Sequence, residues 1–231
     1  VGIDSEVMKI AIPMYKRIMH DDKGGLTEQP YGNAGQAIYS VSRARLNVLM
    51  MKLASENGAN LFFNEQCVEA DFKNSSVVFV NKNTSRKQKI YSDLIIGADG
   101  AFSAIRKEMV DQYNHDYRYN KIDHDYKELH IPAGKNGAFL LDKNALHIWP
   151  RGSFMLIALA NLDGSFTCTL FAPKKGRNSF EQLNTKTKVE AYFSSIFPDF
   201  TALVPDLYNQ WSSNPTSSLG IIKTFFTYKM V

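Results

Sequence analysis

Asp93-Leu94-Ile95-Ile96-Gly97-Ala98-Asp99-Gly100-Ala101-Phe102-Ser103-Ala104-Ile105-Arg106 is the stretch on which the fold turns. Leu94 to Ile96 is a short apolar run, which predicts a strand buried on both faces. Gly97-Ala98-Asp99-Gly100 breaks it, and glycines there let the backbone pass close to another group without a Cβ clash. Asp99 is an acceptor at the end of that strand. Ser103, followed by Ile105, Arg106, Met109 and Val110, predicts a helix that begins at once. A strand, a glycine turn and a helix present ligand sites at the carboxyl ends of strands in α/β sheets. The same residues also fit a structural turn with no ligand.

The 231 residues around this stretch suffice for one large domain or two small ones. Hydrophobic residues make up 44% and charged residues 22%, which excludes a disordered chain. The net charge of +4 comes from scattered Lys and Arg. Their densest run, Lys82 to Lys89, falls in a predicted hairpin, so a solvated face is expected and no nucleic-acid partner. Cys67 and Cys168 are far apart and each lies in an apolar stretch, which predicts buried free thiols in a reducing compartment. No apolar run reaches transmembrane length, no signal peptide opens the chain, and no G-x-G-x-x-G occurs. Val1 to Ile10 reads as the tail of something already under way, and Ile221 to Val231 as a strand that stops mid-course. The expectation is the middle of a longer protein.

Ahead of the glycine turn, Ile12 to Met19 is mixed, with Lys16-Arg17 inside it, and Asp21 to Gly25 is a turn. Glu28 to Gly35 reads as an irregular loop carrying Tyr31. Ala37 to Val41 reads as a strand, after which Ser42 is a candidate N-cap. The helix that follows has Leu46, Leu49, Met50 and Leu53 on one face, and Asn57-Gly58 ends it. Arg43 lies in its first turn, where a cation opposes the helix dipole; an anionic ligand would explain it, and so would a plain surface position. Leu61 to Phe63, Cys67 to Phe72, Val77 to Asn81 and Gln88 to Tyr91 are predicted strands.

Beyond the turn, Asp111 to Asp125 reads as a polar, Tyr-rich connector. Its pairs His115-Asp116 and His124-Asp125 match no usual metal-ligand spacing, so a solvated linker is expected and no metal. Tyr126–Ile131, Ala145–Trp149, Ser153–Asn161 and Ser165–Ala172 are strands, and the last three are joined by Arg151-Gly152 and Asp163-Gly164 turns into an antiparallel sheet. Ser153–Asn161 is so apolar that both faces are expected to be covered. Met155, Ile157 and Leu159 share one of them. Thr187-x-x-Glu190 is a capping-box pattern opening a helix that Pro198 ends. Ala202 to Trp211 reads as a second short helix, Asn214 to Ser218 as a loop and Ile221 to Tyr228 as a final strand.

The string G-A-D-G-x-x-S-x-x-R resembles the second flavin-contacting motif of the single-component FAD-dependent aromatic hydroxylases. Within that family the chain is most similar to the kynurenine 3-monooxygenases. The likeness runs through Ile12 to His20, Pro30-Tyr31-Gly32, Tyr39 to Arg43, Gly97 to Arg106, Leu146-His147-Ile148-Trp149-Pro150-Arg151 and Ser165-Phe166-Thr167-Cys168-Thr169-Leu170-Phe171. It implies a mixed α+β and α/β fold. Residues 1–125 would be a partial Rossmann-like FAD-binding portion with inserted strands, and residues 126–231 an antiparallel-sheet substrate domain with covering helices. It also implies a monooxygenase that uses FAD, NADPH and O2 to hydroxylate L-kynurenine to 3-hydroxykynurenine, cytoplasmic and without a membrane segment in this chain. The isolated segment, with FAD-binding glycines missing, would be inactive and without FAD. A related hydroxylase of another aromatic acid and a non-catalytic β-rich binding module are the alternatives.

By position, the resemblance assigns Arg17 and Tyr31 to the substrate carboxylate. A guanidinium can hold a carboxylate through two parallel hydrogen bonds. It assigns Leu146, Ile157, Leu159 and Phe171 to the apolar substrate pocket, where plain core packing is the competing reading. It assigns Arg43, Cys67, Asp99 and Ala104 to the flavin, Cys67 and Ala104 through backbone. Tyr15 stands where many eukaryotic members have an arginine, so only Arg17 carries that role.

Overall fold

Period-two alternation in the second half of the chain builds the largest element of the structure, a computed structural model that describes residues 2–113 and 117–224. In chain order come α1 (Asp4–Met8), β1 (Ile12–Met14), β2 (Lys16–His20), β3 (Leu26–Pro30), β4 (Ile38–Ser40) and α2 (Arg43–Glu56). Next are β5 (Glu65–Asp71), β6 (Ser76–Asn81), β7 (Lys87–Tyr91), α3 (Ala104–Tyr113) and β8 (Tyr117–Ile131). A single 3-10 turn (Lys135–Gly137) precedes β9 (Ala145–Arg151), β10 (Phe154–Ala160) and β11 (Phe166–Pro173). The chain closes with α4 (Lys186–Ile196), α5 (Pro198–Thr201), α6 (Leu207–Ser213) and β12 (Thr216–Thr224).

Seven strands pair in the order β12-β8-β11-β10-β9-β2-β3. β3–β2, β9–β10, β10–β11 and β11–β8 are antiparallel, and β2 runs parallel to β9. The tight turn between β10 and β11 needs glycine. Gly164 has φ +89°, and a Cβ there would stand 2.2 Å from the Gly137 carbonyl oxygen. One face of the sheet is the core. Trp149, Leu156, Phe166, Cys168 and Leu170 are fully buried against Val189, Phe193, Phe197 and Phe200 of the α4–α5 segment. Each such side chain contributes about 1.5–3 kcal/mol on removal from water. Thr185 caps α4 by accepting from the Lys188 amide at 3.4 Å, two residues ahead of the Thr187 cap expected from the sequence. Pro198 ends α4 and opens α5.

The chain divides into two compact units. One holds Ile122–Leu219 together with the chain up to Ala54; the other holds Ser55–Lys121 together with the chain from Gly220 on. This differs from a single break between residues 125 and 126. The parallel pairing of β2 with β9 puts the early strands and the late sheet into the same unit. In the second unit β5, β6 and β7 form an antiparallel meander, and Met109 of α3 is buried. Its turns are set by side chains that accept backbone N–H groups: Asp71 from Lys73 and Asn74, and Asn81 from Asn83 and Thr84.

Several expectations are corrected. Leu94 to Ile96 forms no strand; no described strand pairs with it, and Leu94 and Ile96 stand 73% and 79% exposed. Leu61 to Phe63 is likewise irregular and exposed. Glu28 to Pro30 is not loop but the end of β3, paired with β2. The expected connector Asp111 to Asp125 is from Tyr117 on the first part of the long strand β8, and the residues of β8 that enter the core, Lys127, Leu129 and Ile131, lie in the strand expected from Tyr126. Ser153–Asn161 is covered on one face only, since Phe154, Leu156, Ala158 and Ala160 are buried while the residues between them are not. The second short helix lies at Leu207–Ser213, and β12 occupies part of the expected loop. His115-Asp116 and the end of the final strand lie outside the described residues.

Candidate functional site

The face of the seven-stranded sheet opposite the core is only half-buried, and it collects the substrate residues expected from the sequence. One row of cross-strand partners runs Met19, Ile148, Ile157, Thr169 and Glu128. Beside it Arg17 pairs with Leu146, Leu159 with Thr167, and Phe171 with Met155. In-register partners share a face, so Arg17, Leu146, Ile157, Leu159 and Phe171 all project to this side from four adjacent strands. Core packing would have buried them; each remains partly accessible.

Arg17 has one feature that a surface arginine lacks. Its Nε is buried and has no hydrogen-bond partner among the described residues. Its guanidinium lies 5.2 Å from the centre of the Tyr31 ring, a cation–π distance. The Tyr31 amide donates to the Tyr15 carbonyl at 3.0 Å, which carries Tyr31 across from the end of β3. Burial pushes the Tyr31 hydroxyl up from its ordinary value, and the positive charge of Arg17 pulls against that. A buried, unpaired donor beside an aromatic hydroxyl-bearing ring is suited to an anionic group.

Adjoining this face is an open cleft of ≈ 910 Å³ at the start of α2, lined by Ser42, Arg43, Asn47, Glu128, Leu159 and Thr169 among others. Arg43 is the first residue of α2 and exposed. The first amides of a 14-residue helix and a cation beside them favour negative charge. Leu159 therefore belongs both to the sheet face and to this cleft. Glu128, Thr167 and Thr169 were missed in the sequence; strand alternation through Phe166, Cys168 and Leu170 identifies the two threonines as the opposite face.

In the other unit, Asp99 is fully engaged. One carboxylate oxygen accepts from the Ala104 and Ile105 amides at 2.7 and 3.3 Å, and the other from the Ser103 hydroxyl at 2.5 Å. Burial raises its pKa, but the Ser103 hydroxyl and the backbone donors outweigh this and hold it below the ordinary carboxylate value. Arg106 closes the turn by donating to the Gly100 and Ala101 carbonyls, with its guanidinium 4.6 Å from the centre of the Tyr117 ring. Gly100 has φ +80° and Gly97 approaches Ile105 so closely that a Cβ would lie 3.0 Å from its side chain. Ala104 opens α3, so its amide is already used by Asp99. Cys67 is half-buried at a bulge in β5, and burial raises its thiol pKa. Both cysteines are free thiols. Asp99 thus shapes this turn and caps α3, and its own charge occupies the helix terminus.

Behind the half-buried face lies a polar network with no counterpart in the sequence expectations. His20, His147, Trp149 and Asp199 bond to one another. Arg151 donates to the His20, Asp21 and Ile196 carbonyls. The signal was alternation: in Leu146-His147-Ile148-Trp149-Pro150-Arg151, His147 and Trp149 point into the core while Leu146 and Ile148 face the other way.

The sheet thus has one packed face and one half-buried face, with a helix terminus that favours negative charge beside the latter. A family model described as "FAD binding domain" matches residues 6–210, and the chain belongs to that family. Among curated proteins it is similar to a kynurenine 3-monooxygenase of Flavobacterium psychrophilum, 45% identical over 228 residues, covering 98% of this chain and 51% of the relative. A kynurenine 3-monooxygenase of Dictyostelium discoideum is 44% identical over 225 residues, covering 96% of this chain and 48% of the relative. The chain thus spans about half the length of the curated relatives it matches. Among solved structures, the tetrameric form of 2-methyl-3-hydroxypyridine-5-carboxylic acid oxygenase superposes with a TM-score of 0.67 at 14% identity, covering 96% of this chain and 55% of that one. The resemblance read from the sequence and the mixed α/β fold are both borne out. Among the described residues no helix is long and apolar enough to cross a membrane.

Proposed function

We propose that this chain is the central part of a flavin-dependent monooxygenase that hydroxylates L-kynurenine to 3-hydroxykynurenine with NADPH and O2. The observation that carries the reading is Arg17: a buried Nε without a partner, next to Tyr31, in register with Leu146 on the face that also bears Ile157, Leu159 and Phe171. Arg17 and Tyr31 would bind the amino-acid carboxylate. The aliphatic residues and Phe171 would hold the aromatic ring and exclude water from it. The names of the relatives supply the substrate.

FAD, when bound, supplies the redox chemistry that activates dioxygen. The residues present suit it: the α2 terminus with Ser42, Arg43 and Asn47 offers donors and positive charge in an open cleft. In the other unit, Cys67, Asp99 and Ala104 are the flavin-side positions. We assign Asp99 the role of shaping the backbone there, since its oxygens are taken.

The test uses the full-length protein that carries this chain. L-Kynurenine should accelerate NADPH oxidation and 3-hydroxykynurenine should accumulate. A panel of other aromatic acids decides the substrate: NADPH oxidation that ignores kynurenine and responds to another acid overturns the assignment.

A further inference from the structure

Three hydrogen bonds run in line through two buried imidazoles. His20 Nδ1 lies 3.0 Å from Asp199 Oδ2, and His20 Nε2 lies 3.0 Å from His147 Nδ1. His147 Nε2 lies 2.9 Å from the Asp142 carbonyl oxygen. Each bond needs one proton. The carbonyl brings none, and an ionised Asp199 carboxylate, whose Oδ2 also accepts from the Trp149 indole N–H at 2.7 Å, brings none either. Two neutral imidazoles bring only two protons. The line is complete only if the ring pair holds one more.

We propose that His20 and His147 share this third proton as a buried cation balanced by Asp199, and that the resulting clamp positions Arg17 for substrate. The proposal rests on the reading of Arg17 given above. Arg17 lies on β2, and β2 joins the main body of the sheet through its parallel pairing with β9, Ile18 opposite His147. The His20–His147 bond links those two strands on the face opposite Arg17, three residues along β2 from it, and Asp199 ties them to α5. If the third proton leaves, two lone pairs face each other across one of the three bonds, and that bond becomes a repulsion.

The surroundings place this event on the acid side of the ordinary histidine value. Burial pushes both rings below the ordinary histidine value. At His20 the Asp199 carboxylate pulls the other way and Arg151 adds to the lowering. At His147 the Asp142 carbonyl and carboxylate pull up, while His20 and Lys16 push down. Lys16 itself is paired with Glu28 and Asp142 at 2.7 and 3.2 Å. Trp149, stacked on His20 at 4.0 Å, and Phe166, edge-on to His147 at 6.0 Å, are uncharged walls.

The decisive variant is Asp199→Asn. The Trp149 indole N–H selects the amide oxygen at this position, so the variant keeps the acceptor that faces His20 and removes only the negative charge that balances the ring pair. In the full-length holoenzyme, L-kynurenine binding, read from flavin absorbance, should weaken about threefold to tenfold as pH rises from about 5 to about 7, through the lowered histidine range. In Asp199→Asn the weakening should already be complete at the acid end of that range, because the ring pair holds its third proton less tightly without the carboxylate. Long-range proton–nitrogen spectra of [15N]histidine-labelled wild type should show three of the four ring nitrogens of His20 and His147 protonated at the acid end and two at the alkaline end. Two protonated nitrogens throughout, or a wild-type pH profile in Asp199→Asn, overturns the clamp. Failure of the wild type to bind kynurenine at any pH overturns the substrate reading instead, and the nitrogen spectra still decide the clamp.

Discussion

Arg17→Ala is the perturbation with the largest effect on binding relative to its effect on folding. A two-pronged guanidinium–carboxylate contact contributes about 1.5–3 kcal/mol, so its loss should weaken L-kynurenine binding about 10- to 150-fold. The folded protein should barely notice. Arg17 Nε has no partner to leave orphaned, its stacking on Tyr31 at 5.2 Å is its one described ring contact, and such a change at a half-buried site costs within about 1 kcal/mol. The assay is titration of the oxidised full-length holoenzyme with L-kynurenine, beside the urea midpoint of the same protein. Arg17→Lys should fall between, because it keeps the charge and loses the planar fork. If Arg17→Ala binds kynurenine within about twofold of wild type at an unchanged urea midpoint, Arg17 does not hold the carboxylate and the reading of this face fails.

Asp99→Ala should destabilise α3 by about 0.5–2 kcal/mol, since its carboxylate accepts the Ala104 and Ile105 amides. Asp99 lies below its ordinary value in the fold, so it stabilises above an unfolded value of about 3.9 and loses that contribution as pH falls through the depressed folded value. The variant's denaturation midpoint should therefore fall less on acidification than the wild type's; equal acid losses would show that the cap contributes nothing. Gly164→Ala should cost at least about 1–3 kcal/mol from its φ of +89° alone, with the contact to the Gly137 carbonyl adding to it, and an unchanged urea midpoint would refute the turn geometry. Cys168, fully buried with its thiol pushed up to about 12, should resist alkylation in the native protein while half-buried Cys67 reacts, as mass spectrometry of iodoacetamide-treated protein would show.

What was legible in the sequence was local. Glycine turns at Arg151-Gly152 and Asp163-Gly164, period two in β10 and β11, and Pro198 as a helix stop all follow from backbone sterics that act over a few residues. What failed depended on partners remote in sequence. Leu94 to Ile96 has the composition of a buried strand, yet a strand needs a neighbour to satisfy its amides, and none is described beside it. Tyr117 to Asp125 looks like a solvated connector because it is polar, although it is the first part of the strand expected only from Tyr126. Its continuation, which pairs with β11 from His124 onward and sends Lys127, Leu129 and Ile131 inward, was legible, and the polar part before it was not.

The two most specific strings owe their specificity to a strand having two faces. In Ser165 to Phe171, Phe166, Cys168 and Leu170 fill the core while Thr167, Thr169 and Phe171 face the cleft side. In Leu146 to Arg151, Leu146 and Ile148 lie on the half-buried face while His147 and Trp149 serve a buried network. On the function proposed above neither face would tolerate substitution freely, because one is close-packed and the other would be shaped for a ligand. A strand with a single constrained face would leave every second position free, and such a string would carry half the signal. This is why these strings speak more sharply than the glycine turn. Gly97 to Gly100 answers to backbone geometry that many unrelated turns share, and its carboxylate is spent on its own helix.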